Sequence, residues 1–151
     1  MNLVKKATAI DMKVKLSALW TFAILNYLYC DVLGLTDPNV LRQLISGTGP
    51  IQMTQGFLLG AAILMEIPIA MVLLSRVLKF KANRLANIVA GLIMSGVQIS
   101  TLFVGTPTIY YVFFSIIEIA CTLFIVWYAW QWNWASLPAS ELHAHAIDSN
   151  A

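Results

Sequence analysis

The sequence predicts an all-α integral membrane protein: a four-helix bundle with both termini on the cytoplasmic side and a short amphipathic helix at its outer interface. Three observations predict this. The 151 residues are 60% hydrophobic and only 11% charged, with a mean hydropathy of +0.79, which leaves too little polar surface for a soluble domain. Four apolar stretches, Leu16 to Leu35, Met53 to Ser75, Leu85 to Val104 and Ile109 to Trp130, each reach the roughly 20 residues a spanning helix needs. Eight of the nine basic residues fall on one side if all four stretches cross.

The first stretch follows Lys5, Lys6, Lys13 and Lys15 and contains Asn26 and Asp31, with no small-residue cleavage site after it. It reads as a retained span and not as a signal peptide. Asp37 and Pro38 then supply a cap and a favoured first helical residue, and Val40, Leu41, Leu44 and Ile45 share one face up to Gly47. That pattern predicts an interfacial helix over about 38–46. The second stretch leads into Arg76, Lys79, Lys81 and Arg84, whereas the link around Gly105, Thr106 and Pro107 carries no charge. By the positive-inside rule the N-terminus, the 76–84 loop and the C-terminus face the cytoplasm, and Arg42 alone lies outside. The fourth stretch ends in Trp127, Tyr128, Trp130, Trp132 and Trp134, rings suited to the headgroup zone. The tail from Ser136 is small and polar and reads as disordered; His143 and His145 lack further ligands for a metal. Residues 1–151 form one membrane domain.

Polar groups inside the spans carry whatever chemistry the protein performs, because lipid penalises an ionisable side chain at depth by several kcal/mol. These are Asn26, Asp31, Gln55, Glu66, Asn87, Gln98 and Glu118, and they are expected to line the interior. Counting from the helix ends sets Asn26 and Glu118 near the midplane, Glu66 slightly to the cytoplasmic side, and Asp31, Gln55 and Gln98 in the outer third. Asn26 and Asp31 point about 140° apart and do not aim at one central point. Pro68, two residues after Glu66, removes a backbone donor and permits a kink, so Glu66, Glu118, Asn26 and the freed Leu64 carbonyl are expected to converge. Gly56 and Gly60, and Ala86, Ala90 and Gly91, offer sites for close helix approach. Cys30 and Cys121 lie in apolar segments without CxxC spacing and read as small buried hydrophobes.

The run from Glu66 through Pro68 to Ser75-Arg76-Val77-Leu78, with Lys81-Ala82-Asn83-Arg84-Leu85-Ala86-Asn87, resembles a family of small bacterial four-span proteins classed as a domain of unknown function. Lys15-Leu16-Ser17-Ala18-Leu19-Trp20, Tyr27 through Gly34 and Trp127-Tyr128-Ala129-Trp130 are similar to the same family, over about residues 14–132. The resemblance implies a fold and no function. DoxX-like and sterol-isomerase-like bundles share the architecture by analogy alone.

No basic residue lies deep in a span, so a cation is the natural partner of these acids and an anion is not. The favoured reading is a multi-pass protein of the bacterial inner (plasma) membrane that binds or transports a proton-exchangeable or lipophilic cation. Glu66, Glu118, Asn26, Asp31, Gln98 and Gln55 are its binding residues, the bilayer is its surroundings, and a homo-oligomer is its expected state. A second reading makes Glu66 and Glu118 the acid and base of an enzyme acting on a lipid or isoprenoid. A third makes the chain an accessory subunit whose glutamates bond across helices. Nucleophile, phosphate-binding and metal-ligand motifs are absent, so no catalytic residue, metal or cofactor is assigned and the balance leans away from an enzyme. There is no basic footprint for nucleic acid.

Overall fold

The computed structural model describes residues 2–49 and 51–132, and the side chains of these from residue 11 onward. The fold is all-α, with five helices and no strand among the described residues: α1 (Asn2–Thr36), α2 (Pro38–Ser46), α3 (Gln55–Val77), α4 (Phe80–Thr101) and α5 (Ile109–Gln131). Three of them, over Asp11–Thr36, Gln55–Val77 and Ile109–Gln131, are long and apolar enough to cross a membrane. Large apolar side chains such as Leu25, Ile63, Leu73 and Ile116 face outward from these helices, as suits a hydrocarbon solvent and not water. The chain is a membrane protein.

The four long helices pack side by side, α1 against α3 and α5, and α4 against α5 and α3. Each neighbouring pair in this ring runs antiparallel, as short links require. One end collects Lys15, Arg76, Lys79, Lys81 and Arg84 and is called here the basic end; Thr36, Gln55, Thr101 and Ile109 mark the far end. α4 and α5 approach closely at Gly91. A Cβ placed on Gly91 would meet Val126 Cγ2 at 2.6 Å and the Thr122 carbonyl oxygen at 3.1 Å, so only glycine lets these backbones come so near. At Gly56 and Gly60 a Cβ would meet nothing within 4 Å among the described residues, so that pair does not serve a close helix approach there.

α2 spans the residues that its cap and stop predict. The Asp37 carboxylate accepts from the Asn39 amide at 2.9 Å, Pro38 occupies the first turn, and Gly47 takes the left-handed conformation (φ 67°) that ends the helix. None of its residues is buried. α1 begins far ahead of the apolar stretch, helped by an Asp11–Lys15 ion pair one turn apart in the favourable order.

α4 departs from its expected bounds, starting at Phe80 instead of Leu85 and ending at Thr101 instead of Val104. The early turn is held by packing: Phe80 is buried edge-on against Trp132, with ring centroids 5.0 Å apart, and Asn83 is fully buried. The same contact corrects the reading of Trp132 as a headgroup anchor, since only 1% of it is exposed, whereas Trp127 and Trp130 do face outward. Cys30 and Cys121 are buried free thiols. Trp134, the tail from Ser136, His143 and His145 lie outside the described residues.

Candidate functional site

The polar residues singled out by sequence divide by placement. Glu118 is buried on α5, Gln98 and Asn87 are buried on α4, and Asn26 is half-buried. Asp31, Gln55 and Glu66 are exposed. Asn26 donates to the Phe22 carbonyl of its own helix at 2.8 Å and joins no cluster. The expected convergence of Glu66, Pro68 and Glu118 does not occur. Pro68 is buried on the inner face of α3 with Met71 and Ser75, and a two-residue step turns the helix by about 200°, which aims Glu66 away from the core. α3 and α5 also stand on opposite sides of the ring, not next to each other.

Toward the basic end, most buried polar groups bond to one another or to backbone, the Trp132 indole Nε1 excepted. Asn87 Oδ1 accepts from Trp20 Nε1 at 2.8 Å and from Ser75 Oγ at 3.2 Å. Its Nδ2 donates to Asn83 Oδ1 at 2.6 Å and to the Asn83 carbonyl, and Asn83 Nδ2 donates to the Ser75 carbonyl at 2.6 Å. Ser17 Oγ donates to the Val72 carbonyl and accepts from Arg76 Nε at 2.9 Å. The network ties α1, α3 and α4 together, and each bond replaces one that lipid does not offer.

From the midplane to the far end the pattern changes. Gln98 Nε2 donates to Ser115 Oγ at 2.9 Å, Tyr111 donates to Thr101 Oγ1 at 2.7 Å, and Ser95 and Thr122 share a hydrogen bond of 2.7 Å across α4 and α5. Between these pairs sits Glu118, 1% exposed, with neither carboxyl oxygen hydrogen-bonded to any group among the described residues. The Tyr27 hydroxyl is also buried without a partner. The remaining such side-chain atoms among the described residues, Thr108 Oγ1 and Trp132 Nε1, are neutral. Tyr27, Cys30, Asp31 and Tyr111 all lie near enough to interact electrostatically with Glu118. Glu118 is the tenth of the 23 residues of α5, about 14 Å along the axis from its first residue and about 20 Å from its last.

A carboxyl group carries acceptor oxygens and, when ionised, a full charge. Held away from both water and donors, it is among the most costly groups a fold can bury. Its chemistry is that of a proton or hard-cation ligand, because oxygens suit such ions and no cationic side chain among the described residues pairs with it. Hydroxyls of Tyr27, Tyr111 and Ser115 are of the type that completes an oxygen shell. Among the described residues no three His, Cys, Asp or Glu side chains assemble into a metal site.

A family model described as a family of unknown function, DUF6326, matches residues 8–139. The chain belongs to this family. No curated protein and no solved structure matches the chain. The match runs from within α1 through the end of α5, and so spans the part of this chain that holds the polar network and Glu118. Membership adds no activity, and the chemistry of this DUF6326 chain rests on its own residues.

Sequence reasoning missed Trp20, Ser17, Ser75, Asn83 and Tyr27 as participants. Asn83 and Asn87, four apart, were the available signal for a network, since two amides on one face of a helix bond to each other or to a common partner. Tyr27 carried no such signal, because an aromatic residue in an apolar helix ordinarily packs without its hydroxyl mattering.

Proposed function

We propose that this protein crosses the membrane four times, with both termini cytoplasmic, and that Glu118 binds a small cation in exchange for a proton, as a carrier or receptor site within the bundle. α4 supplies the fourth crossing in this reading. Its 22 residues span about 33 Å, its polar residues Asn83, Asn87, Ser95 and Gln98 are buried, and Leu85, Val89, Leu92, Ile93 and Ile99 face outward. The orientation follows from the basic end, which the positive-inside rule assigns to the cytoplasm.

The observation that carries the reading is the fully buried Glu118 carboxyl with both oxygens unpartnered. Packing glue would bond across helices, as Asn87 does, and Glu118 does not. An acid–base pair with Glu66 lacks its second member at the site, which weighs against the enzyme reading. Asp31, exposed toward the far end and electrostatically in reach, suits a role in attracting a cation toward Glu118. The test is cation-dependent proton movement in vesicles reconstituted with the full chain and loaded with a pH-sensitive dye. Sodium, potassium and a lipophilic cation serve as probes. Movement above that of protein-free vesicles, lost in Glu118→Gln, is the expected result; equal movement in Glu118→Gln rejects the site.

Glu66 favours a second reading alongside the first, in which the chain acts as an oligomeric subunit. A carboxyl on the outer face of a spanning helix is disfavoured against lipid and better served against protein. Disulfide trapping of Ile63→Cys or Glu66→Cys in membranes as a dimer supports that contact, and monomer at all oxidant levels rejects it.

A further inference from the structure

We propose that the groove between the basic-end halves of α1 and α5 is a binding site for an anionic phospholipid, with Lys15 at its phosphate and the chain-facing wall built from Phe22 and Phe124. The groove is lined by Lys15, Ala18, Leu19 and Phe22 of α1 and by Phe124 and Tyr128 of α5, and is an open depression of about 550 Å³. The α1 residues recur at steps of three and four and so form one stripe. Ala18 is the small member of that stripe and leaves the depression. On α5, Phe124 and Tyr128 stack with ring centroids 5.8 Å apart and planes at 17°, which makes a flat wall along the opposite side. Phe22 and Phe124 are nearly half exposed, at 49% and 44%, so their rings face the groove's occupant and not the protein core.

The polarity along the groove matches that of a lipid. One end holds an ammonium group and a phenol. About 10 Å further along α1, seven residues on, the lining is purely aromatic and aliphatic. Lys15 sits where the apolar part of α1 begins and pairs with Asp11, both about half exposed. An ammonium group has three donors, so engagement with the Asp11 carboxylate and the Tyr128 hydroxyl still leaves one for a phosphate. Charge complementarity selects the lipid class. Around this end, residues 11–15 and 76–84 carry six basic residues against the one acid Asp11, so a net negative headgroup is attracted and the added cation of a zwitterionic one is not. Glu118 takes no part, so the site stands or falls independently of the proposed cation chemistry.

The experiment is native mass spectrometry of the full chain released from detergent with equal amounts of phosphatidylglycerol and phosphatidylcholine of the same acyl chains. The wild-type chain is expected to retain phosphatidylglycerol preferentially. Lys15→Gln should lower that retention about fivefold, the effect of one basic contact at the membrane surface. Lys79→Gln removes the same charge outside the groove and should change it little. Ala18→Trp fills the apolar half and should lower retention of both lipids, while Glu118→Gln should leave both unchanged. Three outcomes overturn the proposal: no lipid preference in the wild-type chain, an equal loss in Lys15→Gln and Lys79→Gln, or a chain dimer dispersed by Ala18→Trp, which would make a second copy the groove's occupant.

Discussion

The basic-end network and the Glu118 site bury polar groups to opposite effect. Asn83, Asn87, Ser75 and Trp20 bond to one another, and Ser17 to the Val72 carbonyl and Arg76, so the network across three helices specifies one packing of α1, α3 and α4. Glu118 lies further along the same interior with its oxygens unmatched, although hydroxyl and amide groups stand on the adjacent turns of α4 and α5. Ser95, Thr122, Gln98 and Ser115 bond to one another or to backbone, and leave the carboxyl alone. Polar groups at one end hold the fold together, while at the other the fold holds a polar group that gives it no visible support. That asymmetry separates a structural device from a candidate site.

Substitutions at the two regions should therefore fail differently. Glu118→Gln is expected to abolish cation-dependent proton movement, a loss of tenfold or more, while leaving the unfolding transition in detergent within about 1 kcal/mol of wild type, because no hydrogen bond is lost. In the wild-type chain, cation affinity should fall as pH falls, since the cation and the proton compete for the same oxygens; isothermal titration at three pH values gives the sign. A large loss of stability in Glu118→Gln would merge the two regions into one structural core and break the comparison.

Asn87→Ala is the converse case. It strands the Trp20 indole and the Ser75 hydroxyl, and should cost about 2 kcal/mol in a reversible unfolding assay with proton movement reduced only in proportion to folded protein. Gly91→Ala forces a methyl against Val126 and the Thr122 carbonyl, and should cost about 1–2 kcal/mol. It also displaces Thr122 from Ser95, one turn from Glu118, so it should disturb proton movement beyond its effect on stability. Tyr27→Phe has the smallest expected effect, within about 0.5 kcal/mol, because its buried hydroxyl makes no bond to lose. A clear loss of proton movement with stability unchanged would place that hydroxyl in the ion's path.

Much of the fold was legible in the residues. Length and apolarity marked the long helices, since helix is the conformation that satisfies a backbone in lipid within one segment. Asp37, Pro38 and Gly47 set the bounds of α2 through cap, first-turn and left-handed chemistry that act over four residues. Local rules gave less at α4, whose first turn depends on Phe80 meeting Trp132, 52 positions away in the chain.

The candidate site divides along the same line. That Glu118, Glu66 and Asp31 are acids within apolar helices is a property of composition and position, and sequence alone determined it. Which acid points inward depends on helix rotation and on which helices are neighbours, and those are set by the summed packing of distant side chains: Pro68 and Met71 turned to the core, Gly91 admitting α5, Trp20 reaching Asn87. A face of α3 chosen by Pro68 sends Glu66 outward, and a face of α5 chosen by Cys121, Thr122 and Ile125 sends Glu118 inward. Periodicity ranks the faces of one helix, but only the tertiary structure matches faces between helices, because the energy that decides the match is shared among residues far apart in sequence.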